Sequence, residues 1–148
     1  MKKFCMAIAL FSAMCCAVTV SAEGRQAVVY DAFAPNEVFE IMKERGYEVS
    51  FDSDGDILWK LDGYKTFITF YKGNKSLQFF TTFNSDVPLE KHNEFNKKYR
   101  WSRSYCPNPG TACLELDLDF EGGITKERLI DFLGTCRRLF STWCEKVL

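Results

Sequence analysis

The chain has 148 residues, 47% of them hydrophobic and 16% aromatic, and a formal net charge of −1 at pH 7. This length suffices for one hydrophobic core and favours one domain. The near-neutral charge gives no reason to expect a nucleic-acid partner. The 14 phenylalanines are expected to fill the core, and an aromatic binding face is the alternative explanation.

The first 22 residues have the pattern of a secretory signal peptide. Lys2 and Lys3 precede an apolar run over residues 4–20, and small residues stand at the cleavage positions before Glu23. The run is short and no basic cluster follows it, so we do not expect a protein integral to the membrane. We predict cleavage near Ala22 and a periplasmic or secreted product. Without Lys2 and Lys3 the product has 17 basic and 20 acidic residues, a net charge of −3.

Four of the seven cysteines lie beyond the leader: Cys106, Cys113, Cys136 and Cys144. An even number in an exported chain predicts two disulfide bonds. A bond between Cys106 and Cys113, across a short loop, is the first choice. Eight residues of continuous helix would separate Cys136 from Cys144 by about 12 Å, more than a disulfide spans. Either that helix breaks between Cys136 and Cys144, or one of these two cysteines forms a disulfide bond with Cys106 or Cys113.

Beyond the leader, residues 23–34 form a lead-in and residues 35–148 a single domain. Pro35 opens a predicted helix that continues to Arg45. Gly46 ends the helix, because glycine readily adopts the left-handed backbone conformation of a C-terminal cap. Four β-prone runs follow, with short turn signals between them. They predict an antiparallel meander with strands at residues 47–52, 57–61, 65–71 and 76–83.

A second helix is predicted from Leu89, with Pro88 in its first turn. At helical spacing its inward face contains Leu89, His92, Phe95, Asn96 and Tyr99. Buried polar side chains need hydrogen-bond partners. We therefore predict a structural polar network composed of His92, Asn93, Asn96 and Arg100.

The rest of the chain predicts a hairpin and a long closing helix. A strand at residues 101–105 leads through a proline- and glycine-containing loop to a strand at 114–120, where leucines alternate with acidic residues. Thr125 caps the last helix. Its apolar face is so broad that it either covers the sheet or joins another subunit.

Residues with catalytic or binding potential are few. His92 is more simply a core histidine than a general base, because no nucleophile with an orienting group can be placed beside it. Glu115, Asp117 and Asp119 share one strand face, which holds a cation or is simply solvated. We predict no catalytic residue, cofactor or metal ligand. The candidate binding surface is composed of Phe79, Phe80, Phe83, Trp101, Arg103 and Tyr105.

An acidic turn at residues 52–56 looks like the start of a calcium-binding loop. Asp52, Asp54 and Asp56 stand at its first, third and fifth positions. However, Ile57 replaces the glycine at position six and Gly63 replaces the glutamate at position twelve. A solvated hairpin turn is the favoured interpretation.

The order of these motifs resembles the YbjN family. The resemblance rests on Gly46-Tyr47 after helix one, NEFN at residues 93–96, Arg100 followed by SRSY at 102–105, and LDLDFEGGIT at 116–125. Members are described as bacterial sensory-transduction regulators, and the family is similar in fold to type III secretion chaperones. The resemblance implies an α+β fold, with an antiparallel β-sheet meander flanked by three helices. It also implies a protein or peptide partner and a homodimer as one assembly.

Two functional hypotheses follow. The first is an exported, non-enzymatic regulatory or chaperone-like protein of the YbjN type that binds a polypeptide. The alternative is a small periplasmic hydrolase or cation-dependent enzyme that uses His92 or the face formed by Glu115, Asp117 and Asp119.

Overall fold

The computed structural model describes residues 27–148, which form three helices and eight strands. The helices are α1 (Pro35–Glu44), α2 (Leu89–Lys98) and α3 (Lys126–Lys146). The strands are β1 (Val29–Tyr30), β2 (Glu48–Phe51), β3 (Ile57–Leu61), β4 (Tyr64–Tyr71), β5 (Ser76–Asn84), β6 (Arg103–Tyr105), β7 (Thr111–Asp119) and β8 (Ile124–Thr125). The predicted leader lies outside the described residues.

Six of the strands form one antiparallel sheet, in the order β2-β3-β4-β5-β7-β6. Strands β2 to β5 are the predicted meander. The chain then passes through α2 and returns as the β6–β7 hairpin, with β7 paired to β5 along nine residues. Strand β6 is therefore one edge of the sheet and β2 the other. The α+β class and the antiparallel sheet are confirmed.

Local signals explain where the first elements end. Gly46 has φ of +75°, its N–H donates to the carbonyl of Lys43 at 2.9 Å, and the N–H of Tyr47 donates to the carbonyl of Met42 at 3.1 Å. These two bonds satisfy carbonyls that the end of α1 leaves free, as in a Schellman motif. The β3–β4 turn needs positive φ at both central residues, and Asp62 and Gly63 supply it.

The core lies between one face of the six-stranded sheet and the three helices. In β3, Ile57, Trp59 and Leu61 are buried, whereas Leu58 and Lys60 between them are more exposed. This alternation is the period of a strand with one covered face. The broad apolar face of α3 covers the sheet, with its buried residues being Leu129, Phe132, Leu133, Cys136, Phe140 and Trp143.

None of the three described helices covers the opposite face of the sheet. One residue from each strand aligns across this outer face, and the row is Ser50, Leu58, Phe67, Phe80, Glu115 and Arg103. The three apolar members of the row are half-buried. The outer face therefore combines an apolar centre with charged residues at the β7–β6 side.

A separate two-stranded sheet joins the lead-in to the start of α3. Strand β1 pairs with β8, so that Val29 lies opposite Thr125 and Tyr30 opposite Ile124. Gly123 precedes β8 with φ of +89°, and a Cβ atom there would lie 2.3 Å from Cγ1 of Val29. Only glycine permits this backbone conformation and this close approach together.

Candidate functional site

Ser104 is the point at which α2, β6 and α3 meet. Its Oγ lies 2.6 Å from Nδ1 of His92 and accepts a hydrogen bond from Nε1 of Trp143 at 2.7 Å. Ser104 and His92 are each 2% exposed, and Trp143 is fully buried. Ser104 alternates with the outward-facing Arg103 and Tyr105, so it faces the core. One hydroxyl thus connects the edge strand to two helices.

The setting of His92 favours its neutral form. Burial lowers the pKa of the imidazole, and its Nε2 has no hydrogen-bond partner among residues 27–148. Protonation would place a positive charge in this buried setting, and desolvation of that charge is the cause of the lowered pKa. Since an indole N–H only donates, Ser104 Oγ accepts from Trp143 and has its own hydrogen to donate to Nδ1.

Ser104 and His92 have the spacing of a nucleophile and its base. Both side chains are sealed from solvent, however, and the serine oxygen is also engaged by Trp143. A substrate cannot reach the hydroxyl without displacing core residues. The pair is therefore structural, and this geometry gives the enzymatic alternative no site at His92.

Asn96 closes the free edge of β6. Its Nδ2 donates to the carbonyl of Ser104 at 2.8 Å, and its Oδ1 accepts from the Ser104 N–H at 2.9 Å. The other two predicted network members are corrected. Asn93 and Arg100 are exposed and their side chains make no hydrogen bond to the described residues, because helical rotation turns Asn93 away from β6 and Arg100 follows the end of the helix. The structure thus brings His92 and Asn96 together through Ser104.

Glu115 departs from the predicted solvated row of acidic residues. Its side chain is only 8% exposed, and its Oε2 accepts from Nε of Arg103 at 2.8 Å and also from Nη2 of the same residue. The hydroxyl of Tyr105 donates to its Oε1. Hydrogen bonding to Glu115 raises the pKa of Arg103, and burial together with the same carboxylate raises the pKa of Tyr105. The β6–β7 register places Arg103 directly opposite Glu115.

The two remaining carboxylates of the row have separate partners. Asp117 accepts from Nε2 of Gln78 at 2.8 Å, and Asp119 accepts from the N–H of Glu121 at 3.0 Å. In the acidic turn, Asp52 Oδ1 accepts from the N–H groups of Asp54 and Asp56, as in a hairpin turn. Within residues 27–148, no group of three or more His, Cys, Asp or Glu side chains is placed to hold a metal ion.

The predicted disulfide bonds require correction. All four cysteines beyond the leader are free thiols in the structure. Sγ of Cys106 contacts the carbonyl of Asn108, whereas Sγ of Cys113 contacts Oγ1 of Thr82. Helix α3 is continuous from Lys126 to Lys146, so the helix break needed to pair the other two cysteines, Cys136 and Cys144, does not occur.

Two residues of the candidate binding surface lie on the inner, helix-covered face of the sheet. Phe79 is fully buried, and Phe83 packs against Phe140 and Trp143 with ring centroids 6.4 and 5.6 Å away. Both have the strand parity of the inner face, which sequence parity alone already indicates. Phe80, between them, is half-buried on the outer face.

Trp101 is the most exposed large hydrophobic residue among residues 27–148. It is 77% exposed and has φ of +65°, a left-handed conformation that bulky residues rarely adopt. Strand β6 begins at Arg103, two residues later than the predicted start at residue 101. The ring borders a cleft of about 310 Å³ between the end of α2, the loop that follows it, and α3.

No helix in the described part of the chain is both long enough and apolar enough to span a membrane.

The fold is α+β, with three helices on one face of an antiparallel sheet. Its hydrogen-bonded polar residues form structural clusters, and Trp101 provides an exposed aromatic site. Residues 34–148 match the model of the YbjN family, described as "Putative bacterial sensory transduction regulator". The chain belongs to the YbjN family, as the motifs predicted.

A solved structure has the same fold. It is described as "Crystal structure of YbjN, a putative transcription regulator from E. coli"; the TM-score is 0.60, and the match covers 83% of this chain and 99% of that chain. The two sequences are 12% identical, so the likeness shows the fold alone. No curated protein matches the chain.

Proposed function

We propose that this protein is an exported, non-enzymatic regulatory protein that binds a polypeptide partner through the surface around Trp101. The observation that carries the proposal is the indole itself, which is 77% exposed on a residue with left-handed backbone. Large exposed aromatic side chains are enriched at the energetic centres of protein interfaces. Residues held in strained backbone conformations are concentrated at functional sites.

Two further observations support binding over catalysis. The family description is regulatory. The one histidine is sealed beneath Ser104, and the carboxylates of β7 are each engaged by neighbouring groups. Within residues 27–148, neither His92 nor the hydrogen-bonded carboxylates of β7 therefore support the enzymatic alternative.

Replacement of Trp101 by glycine tests the proposal without unfolding the protein. Glycine adopts positive φ without strain, so we expect the stability of the Trp101→Gly variant to stay within about 1 kcal/mol of wild type. Tyr71, an exposed aromatic residue at the end of β4, provides the control Tyr71→Ala. Proteins retained from a periplasmic extract by each variant are compared by quantitative mass spectrometry.

We expect a polypeptide that wild type and Tyr71→Ala retain equally and that Trp101→Gly loses. If wild type, Trp101→Gly and Tyr71→Ala retain every protein equally, the proposed surface is wrong.

The export part of the proposal rests on the leader pattern. Its test is cell fractionation with the intact mass of the product, which we expect to begin at Glu23; a cytoplasmic product that retains the leader would contradict export.

A further inference from the structure

The cleft beside Trp101 is lined by three cationic side chains and no carboxylate. Lys98 comes from the last turn of α2, Arg100 from the loop that follows, and Arg138 from the middle of α3. Three elements thus converge on one small volume with a local charge of +3. The whole chain, by contrast, has a net charge of −1. Such a local concentration of one sign attracts ligands of the opposite sign.

These cations have no counter-ion in the described part of the chain. The ion pairs found among residues 27–148 involve other basic side chains. Arg138 donates to the neutral Oγ1 of Thr135 at 3.0 Å, and Nζ of Lys98 lies 5.6 Å from the centroid of the Tyr99 ring. Their hydrogen-bonding and electrostatic capacity therefore remains available to a ligand.

We infer that this cleft binds a short acidic segment of a polypeptide, with carboxylates at Lys98, Arg100 and Arg138 and a neighbouring side chain against the Trp101 indole. The inference rests on the proposed function and specifies the chemistry of the partner. Charge-assisted hydrogen bonds to carboxylates are stronger than neutral ones, and the guanidinium plane suits bidentate contacts. The indole adds apolar contact area beside them.

The clefts on either side of this one have linings of mixed charge. A smaller cleft shares Lys98 with this one and adds Glu94 together with Lys91 and Lys146. The cleft on the other side shares Arg138 and adds Asp62 together with Arg137. Only the central cleft is free of carboxylates. Two or three acidic residues in sequence therefore match the three cations of the central cleft.

The same features disfavour a single-stranded nucleic acid. Proteins that bind such strands offer successive aromatic rings along a basic groove. Here Trp101 is the one strongly exposed ring of the cleft, because Tyr99 is half-buried against Phe95, with ring centroids 4.6 Å apart.

Fluorescence of Trp101 provides the readout. The chain has three tryptophans, and the other two, Trp59 and Trp143, are fully buried. Iodide therefore quenches mainly Trp101, and a ligand in the cleft protects it. The probe is a synthetic peptide containing one phenylalanine and three consecutive glutamates; the matched peptide has three glutamines. Inorganic phosphate and oligo-dT are tested in parallel.

We expect the glutamate peptide to protect Trp101 and the glutamine peptide to do so at about tenfold higher concentration or not at all. The double variant Lys98→Gln/Arg138→Gln should lose this difference. Lys65→Gln, which removes an exposed lysine of β4 without an ion pair, should retain it. Added salt should weaken binding.

Equal binding of both peptides, or a double variant that binds like wild type, would overturn the inference. So would protection by oligo-dT or phosphate in the absence of protection by the glutamate peptide. A glutamate peptide that fails while a Trp101-dependent polypeptide is still captured would refute the acidic partner alone and leave the proposed function standing.

Discussion

The side-chain amide of Asn96 pairs with both backbone groups of Ser104, through bonds of 2.8 and 2.9 Å. It occupies the position that a further strand would take at the edge of the sheet. Unpaired edge groups are templates for pairing with other chains. Helix α2 therefore does more than cover the core, because it also closes β6 with one polar side chain.

Replacement of Asn96 by alanine should lower the free energy of unfolding by about 1–3 kcal/mol, because two backbone groups lose their partners. Asn93→Ala, on the same helix but with a side chain that makes no hydrogen bond to residues 27–148, is the control and should change it by less than about 0.5 kcal/mol. Urea unfolding of both variants measures the difference. If the two variants are equally stable, the edge closure contributes nothing.

Ser104→Ala should be more damaging than its small size suggests. It leaves Nε1 of Trp143 and Nδ1 of His92 buried without a partner, at about 1–3 kcal/mol for each group. Ser102 lies two residues earlier, and its Oγ is buried without a hydrogen bond among residues 27–148. Ser102→Ala should therefore be neutral or slightly stabilising. Thermal melts that rank the two variants in the opposite order would refute this account of Ser104.

The protein should lose stability as pH falls through the histidine range. Burial lowers the pKa of His92 in the folded state, so the unfolded chain takes up a proton first. The contribution is fully present above the unfolded pKa, near 6.5, and is lost as pH falls toward the lower folded value. Unfolding free energies at about pH 7.5 and about pH 5.5 should differ more for wild type than for His92→Gln. An NMR titration that places the pKa of His92 above 6.5 would contradict the prediction.

Much of the fold could be predicted because its determinants are local. The alternation of Leu116 and Leu118 with acidic residues predicts β7, and Asp62-Gly63 and Gly46 supply the positive φ values that their turns require. The spacing of apolar residues likewise predicts the buried face of α3. Each of these signals lies within a few residues of the structure that it determines.

The site was less predictable because its contacts join distant residues. Trp143 meets Ser104 across 39 positions, and Glu115 is paired with Arg103 by the register of a hairpin. Sequence alternation places Glu115 on the outer face correctly, but it does not show that the arginine and tyrosine of β6 bury it. The left-handed backbone of Trp101 has no local signal, since glycine and asparagine are the residues that usually mark it.

The cysteines should differ widely in reactivity toward iodoacetamide. Burial raises the pKa of Cys113 and Cys136, and it raises the pKa of Cys144 to about 11. Because the thiolate is the nucleophile, Cys106 should be labelled first and Cys136 only after unfolding. Timed labelling followed by peptide mass spectrometry gives the order. Early labelling of Cys136, or recovery of Cys106 and Cys113 as a disulfide, would contradict the structure.

The most direct test of the account places a photo-reactive benzoylphenylalanine at position 101 in living cells, with position 71 as the control. Both native residues are exposed and aromatic. If Trp101 contacts a polypeptide partner, illumination should yield a covalent adduct of defined mass from position 101 and none from position 71. Absence of an adduct at position 101, or identical adducts from both positions, would contradict the central claim.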